Sequence, residues 1–378
     1  MDKIKRNSNF ELMRIISMLF IILWHCILFG NILNNCENQK VRLLFSFVEY
    51  IIVVHVNSYV LTTGYFQIDK KLKLSKVLQI LNNAWFWKSL ILIVFIIFNL
   101  IQPSKIDIFF NTFILDTGQY WFINIYVILY LISPFINILI SKLDKKTYIK
   151  LLIVLTVILC LFPYLFMSNS FGFSNDGYTL YHFVYLYFIG GYIKKFPLRK
   201  EYIINKMTIN QYRFVLIIVF LLSCSINFLI YNFFVNNMNV GELFDGFASH
   251  IIDVSRNYNN PFIIMQSISY FLFFETINFK NRFINKIAGL TTGIYLIHMN
   301  QYVKLFLYKW LKIDDISIVH IRFLIYVLFI VFLIFVICAI LEWIRQKIFK
   351  FIYNRKLSCK WRNIYRNFID SCGIRINW

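Results

Sequence analysis

Ten stretches of mostly apolar residues, each near the length of a helix that crosses a bilayer, recur along the whole chain. Spanning a hydrocarbon core of ~30 Å takes about 20 residues of helix. The stretches run roughly 10–30, 43–66, 84–102, 120–140, 149–167, 180–194, 212–234, 261–277, 287–308 and 321–343. Lipid offers no partner to a backbone N–H or C=O, so each stretch must satisfy its own hydrogen bonds, and α-helix is the form that does so within one segment. The expected fold class is therefore all-α, a polytopic integral membrane protein with about ten transmembrane helices. The composition agrees: 15% of the 378 residues are charged, against about 25% in an ordinary soluble domain. Residues 1–344 read as one ten-helix transmembrane domain, and 345–378 as a basic, aromatic-rich amphipathic tail suited to the anionic inner leaflet.

The net charge of +21 raises the question of nucleic acid. The basic residues lie in short clusters between apolar runs, however, which is the pattern of the positive-inside rule and not of a nucleic-acid groove. With the N-terminus placed in the cytoplasm, 29 of the 39 lysines and arginines fall in inner segments. The bias recurs in each inner loop and predicts that both ends lie inside. Seven cysteines, an odd number with no C-x-x-C pair, indicate neither a disulfide framework nor a metal site. The first apolar run holds Arg14 and His25 and lacks a small-residue cleavage site, so it is expected to remain as the first membrane helix.

Ionisable residues inside a membrane span are costly and are functional candidates by default. The first helix carries Glu11, Arg14 and His25. Arg14 and His25 are 11 residues apart, nearly three turns, so they share a face about 16 Å apart along the axis. Glu11 lies one turn before Arg14 and can pair with it. The bland alternative is that Arg14 reaches the inner headgroups while His25 bridges to a neighbouring helix. His298 is equally open to a functional role or to helix bridging. For His55 and His182 a helix-packing hydrogen bond is the expected role. The run Gln119-Tyr-Trp-Phe-Ile-Asn124, with Trp121 and Tyr126, opens the fourth span on its outer side. An interfacial aromatic belt accounts for it, and so would a surface on which a sugar ring stacks.

Five stretches together carry a resemblance. They are Arg6-Asn-Ser-Asn-Phe-Glu11-Leu-Met-Arg14 with His25 following, Val56-Asn57-Ser58 through Thr63-Gly64-Tyr65-Phe66, and Trp121-Phe-Ile-Asn-Ile-Tyr126 through Tyr130 to Ser133-Pro134. The last two are Tyr187-Phe-Ile-Gly190-Gly-Tyr192 and Gly293-Ile-Tyr-Leu-Ile-His298. In kind and order they resemble the membrane acyltransferase-3 family and, within it, the bacterial polysaccharide O-acetyltransferases. The first resembles that family's opening signature of a basic residue, ten residues and a His. Two departures are visible: Thr63 stands where the family often has Ser, and Lys73-Leu-Ser-Lys76 stands where it often has Arg-x-x-Arg.

The resemblance implies transfer of an acyl group, expected to be acetyl, from acetyl-CoA to a sugar hydroxyl of a cell-envelope, capsular or exopolysaccharide glycan. Acetyl-CoA would be a co-substrate, with no resident cofactor. Such a transfer needs a base for the hydroxyl proton, and His is suited to that near neutral pH. It also needs positive charge near the developing oxyanion or the donor's phosphates. His25 and Arg14, with Glu11, are the expected catalytic residues. Lys73, Lys76 and Lys88 are the expected holders of CoA, and Trp121, Tyr126 and His298 the expected substrate contacts. Low Gly and Pro with high Ile, Asn, Lys and Phe point to an AT-rich bacterial genome, hence to a bacterial plasma membrane. The competing class is a polysaccharide polymerase or lipid-linked glycan transporter. Against a polymerase, the longest outer loop, Val235 to Asn260, holds one Arg, Arg256.

Overall fold

The computed structural model describes residues 7–112, 118–166, 176–197, 207–310 and 321–354. Among these residues the regular structure is helical throughout. The chain runs α1 (Asn9–Phe29), α2 (Ile32–Asn35), α3 (Gln39–Ile52), α4 (His55–Gln67), α5 (Leu74–Ile97), α6 (Lys105–Thr112), α7 (Trp121–Lys142) and α8 (Lys145–Thr156). A π-turn over Val157–Leu161 leads into α9 (Phe162–Leu165). Then come α10 (Leu180–Lys195), α11 (Ile209–Asn236), α12 (Glu242–Val254), α13 (Pro261–Thr276), α14 (Arg282–Ala288), α15 (Thr291–His298), α16 (Gln301–Trp310) and α17 (Ile321–Asn354). The last helix thus continues ten residues into the segment expected to be a separate tail; the remainder of that segment, 355–378, lies outside the described residues.

Seven of the ten expected segments form helices long and apolar enough to cross a membrane. The other three also form helices, but shorter ones. α10 and α13 have 16 residues each, mostly buried among their neighbours. The 287–308 segment is split at Met299-Asn300, where the Asn300 side chain accepts from the Tyr302 backbone N–H (3.0 Å) and starts α16. The third segment was also expected ten residues too late. α5 begins at Leu74 because Val77, Ile80, Leu81 and Ala84 continue an apolar stripe through the polar Lys76, Gln79 and Asn82. Large apolar side chains such as Phe214, Leu222 and Leu229 on α11 and Ile325 and Phe329 on α17 are exposed in rows. In water such a surface would aggregate; it is the surface that lipid covers.

Each interruption of a helix is compensated by a specific side chain, as a span in lipid requires. Pro134 in α7 cannot donate to the Tyr130 carbonyl, which instead accepts from the Ser133 hydroxyl (2.7 Å). Pro163 likewise leaves the Leu159 carbonyl free; the chain widens into the π-turn there, and the Asn259 amide donates to that oxygen (3.1 Å). The second span breaks at Val53-Val54. The Gln266 amide then donates to the carbonyls of Tyr50 (2.9 Å) and Ile51 (3.3 Å). Lys195 Nζ donates to the carbonyls of Ile140, Ser141 and Leu143 (2.7–3.0 Å), closing the C-terminal end of α7.

Two apolar clusters make up the interior. One joins α1 to α3, α5, α15 and α17; the other joins α4, α7, α10, α11 and α13. α1 contributes Ile22, Leu23 and Cys26 to the first and Phe10 and Met13 to the second, so it lies at the seam between them. In the second cluster α4 and α10 cross closely, because Gly64 and Gly190 present backbone to backbone.

Candidate active site

A cavity of about 1230 Å³ follows the seam along α1. Its walls reach from Lys70, Lys76 and Lys194 at one end to Gly118, Gln119 and Lys304 at the other, passing Arg14 and His25. The shared helical face expected for Arg14 and His25 is therefore the face that lines the cavity.

His25 Nδ1 lies 3.2 Å from His298 Nε2, and His298 Nδ1 lies 2.6 Å from the Ile294 carbonyl oxygen. The carbonyl can only accept, so His298 Nδ1 carries the proton that it donates there. In a neutral His298, Nε2 is then an acceptor, and His25 must donate to it from Nδ1. That assignment, made from the hydrogen-bond partners, leaves the lone pair of His25 on Nε2. Nε2 makes no hydrogen bond to a described residue, and Phe29 stacks on the ring (5.4 Å between centroids). A fixed ring with an available Nε2 lone pair at a cavity wall is the arrangement of a general base.

Three turns along α1, Arg14 pairs with buried Glu11 (3.1 Å) and donates to Thr291 Oγ1 (3.2 Å), and its side chain remains about a quarter exposed to the cavity. The Tyr59 hydroxyl donates to the Arg14 carbonyl (2.7 Å), tying α4 to α1 at this level. Glu11 and Thr291 thus hold the guanidinium in place at the cavity wall.

Of the three lysines expected to hold CoA, Lys76 lines the cavity, with Nζ over the Tyr130 ring (5.9 Å). Lys73 caps α5, and its backbone N–H donates to Tyr130 Oη (3.3 Å). Lys88 is buried in the first cluster and donates to the Phe110 carbonyl (3.2 Å). Neither Lys73 nor Lys88 is among the residues of the cavity wall. Trp121 and Tyr126 line the cavity; His298 stands behind His25, outside the wall. Lys70 and Lys194, two of the basic residues of the inner segments, join Lys76 at the cationic end, over the rings of Phe66 (5.3 Å) and Tyr65 (5.0 Å).

The family model described as an acyltransferase domain, that of the acyltransferase-3 family, matches residues 7–343. The chain belongs to the acyltransferase-3 family. No curated protein and no solved structure gave a match. Membership makes this a membrane acyltransferase, and the five stretches that resemble the family acquire physical roles in the fold. Arg14, His25, Tyr59, Tyr65, Trp121 and Tyr126 all lie on the wall of one cavity. Gly64 and Gly190 permit the crossing of α4 and α10. His298 backs His25.

In this acyltransferase one expected role is overturned. His55 was expected to bridge helices through a hydrogen bond, yet both of its ring nitrogens are buried without a partner among the described residues, and the side chain lines the cavity. His182 does bridge helices, its Nε2 lying 3.0 Å from Asn57 Oδ1. No spacing in the sequence separates the two cases, because the difference lies in what the neighbouring helices offer.

Proposed function

We propose that this membrane acyltransferase is an O-acetyltransferase of the bacterial plasma membrane. It transfers acetyl from acetyl-CoA to a hydroxyl of a cell-envelope, capsular or exopolysaccharide sugar. The observation that carries this reading is the His298-backed His25 on the wall of a cavity with a lysine-rich end and an aromatic end. On this reading the chain crosses the membrane ten times, with both ends inside. The three short segments complete the bundle as tilted or protein-buried crossings, and the lysine-rich end opens to the cytoplasm. The CoA phosphates lie against Lys70, Lys76 and Lys194, where ammonium groups act as point charges. Arg14 lies farther in, along the path of the thioester.

The chemistry then follows from the assigned tautomers. A sugar hydroxyl hydrogen-bonds to His25 Nε2. As its oxygen attacks the thioester carbonyl, its proton passes to Nε2, and the imidazolium is stabilised by donating from Nδ1 to His298. Collapse of the tetrahedral intermediate breaks the C–S bond, and His25 returns its proton to the departing CoA thiolate. The net products are an acetyl ester and free CoA. Trp121 and Tyr126 offer flat surfaces for the sugar ring.

The test that separates this reading from a polymerase or transporter is the composition of the surface glycan with and without the protein. Loss of acetyl esters at unchanged chain length is the expected result. Altered chain length at unchanged ester content would overturn the proposal.

A further inference from the structure

We infer that His55 and Gln119 form a hydroxyl-reading subsite for the acceptor, matched to a pyranose ring that presents two neighbouring hydroxyls. This inference rests on the acyltransferase reading above and specifies which residues recognise the acceptor.

His55 begins α4, directly after the break at Val53-Val54, and is 1% exposed. Both ring nitrogens are shielded from solvent and lack a hydrogen-bond partner among the described residues. The side-chain amide nitrogen and oxygen of Gln119 are in the same state. Both residues line the cavity that holds His25, and Trp24, the neighbour of His25 on α1, meets the His55 ring edge-on at 5.8 Å. Buried polar groups are almost always paired, so two complete donor–acceptor sets without a partner among the described residues, on side chains that line one cavity, need an explanation. A ligand, or the water that it displaces, supplies one.

The chemistry of that ligand can be read from the groups. A neutral imidazole offers one donor and one acceptor, and an amide offers both as well. A hydroxyl also donates and accepts, so two hydroxyls side by side can satisfy both sets. An ionised phosphate cannot, since it only accepts, and three of the four lysines that line the cavity, Lys70, Lys76 and Lys194, stand at the other end. The neighbouring surface fits a sugar. Trp121 and Tyr258 lie nearly parallel (25°, centroids 6.1 Å apart), Tyr178 closes on both (4.3 and 5.2 Å), and all three line the cavity. The His55 ring meets Tyr258 edge-on at 5.7 Å, which places the polar reader at the border of the aromatic surface. The apolar C–H face of a pyranose packs on such rings while its hydroxyls project from the rim. The hydroxyls held by His55 and Gln119 would be neighbours of the one that His25 deprotonates.

The test uses the full-length protein in detergent micelles and a panel of methyl pyranosides (gluco, galacto, manno and N-acetylglucosaminide), with binding read by saturation-transfer NMR. At least one glycoside is expected to bind the wild-type protein. His55→Ala and Gln119→Ala are each expected to weaken it about ten-fold, the loss of one good hydrogen-bonding set. His55→Asn keeps a donor and an acceptor and should stay within about three-fold. The KM for acetyl-CoA in a transfer assay should be unchanged in all three variants. Absence of binding by every glycoside, or equal binding by wild type and both alanine variants, would overturn the inference. Should His55→Ala not fold, Gln119→Ala decides alone. The two layers fail separately: glycoside binding that depends on His55 without acetyl transfer refutes the transfer reading only, whereas transfer with an unaltered acceptor KM in the variants refutes the subsite only.

Discussion

Replacing His298 by Ala should slow transfer by one to two orders of magnitude while leaving substrate affinities nearly intact. In the resting site His298 Nε2 accepts from His25 Nδ1 (3.2 Å), and that bond selects the tautomer with the lone pair on Nε2. When His25 takes the hydroxyl proton, the same bond becomes one from an imidazolium. Hydrogen bonds to charged groups are worth about 1.5–3 kcal/mol. At 1.36 kcal/mol per decade, losing this one corresponds to a fall in kcat of roughly 10- to 150-fold. Loss of tautomer control adds a smaller factor in the same direction. The assay is acetyl transfer from labelled acetyl-CoA to envelope polysaccharide, with both substrates varied. His298→Gln, which retains an acceptor oxygen, should recover part of the loss. A kcat within about two-fold of wild type in His298→Ala, with the acceptor KM raised instead, would refute the relay. It would also return His298 to the substrate-contacting role that its sequence context suggested.

Three further outcomes follow from the packing and charge. Lys70→Gln combined with Lys194→Gln should raise the KM for acetyl-CoA about ten-fold or more and flatten its dependence on salt, because both ammonium groups line the cationic end; an unchanged KM would remove phosphate from that end. Gly190→Ala should cost about 2–3 kcal/mol or prevent accumulation, since a Cβ there would overlap the Leu61 carbonyl oxygen, whereas at Gly191 it meets the tips of the Ile140 and Tyr148 side chains. Thermal unfolding in detergent reads the difference, and equal midpoints would contradict the close crossing of α4 and α10. Arg256→Ala should cost about 3 kcal/mol because it strands Glu49, which is buried and paired with that guanidinium. The double variant Glu49→Gln/Arg256→Met should recover much of this by the same measurement, and a double variant no better than Arg256→Ala would show that the pair is not the cause.

What sequence alone could supply is bounded by the range of each signal. Apolar runs locate helices because lipid imposes a length, and the segments carrying α1, α7 and α11 were located to within about three residues on that basis. The same signal cannot tell a helix that crosses alone from one buried among its neighbours: α10 and α13 match their apolar runs of 180–194 and 261–277 to within a residue, yet are mostly buried in protein, and the 287–308 run divides into α15 and α16. Nor does it show the break before His55, since Val53 and Val54 are as apolar as any residue in a continuous span and the compensating Gln266 lies more than 200 residues away. In the site, Arg14 and His25 were legible because they share one helix, where spacing fixes direction. His298 was legible as a polar residue out of place, but its partner was not. Lys70 and Lys194 were visible only as charges, because one follows the end of α4 and the other sits in the last turn of α10, and no periodicity connects the two. His55 and Gln119 are defined by partners they lack, and a missing partner leaves no trace in sequence.

The measurement that bears most directly on the central claim is transfer of label from radiolabelled acetyl-CoA to envelope polysaccharide in membranes carrying wild-type protein, His25→Ala or His25→Gln at matched levels. The expected result is ester-linked label with wild type and at least a hundred-fold less with either variant, since both remove the base that accepts the hydroxyl proton. Transfer by His25→Ala at the wild-type rate would contradict it.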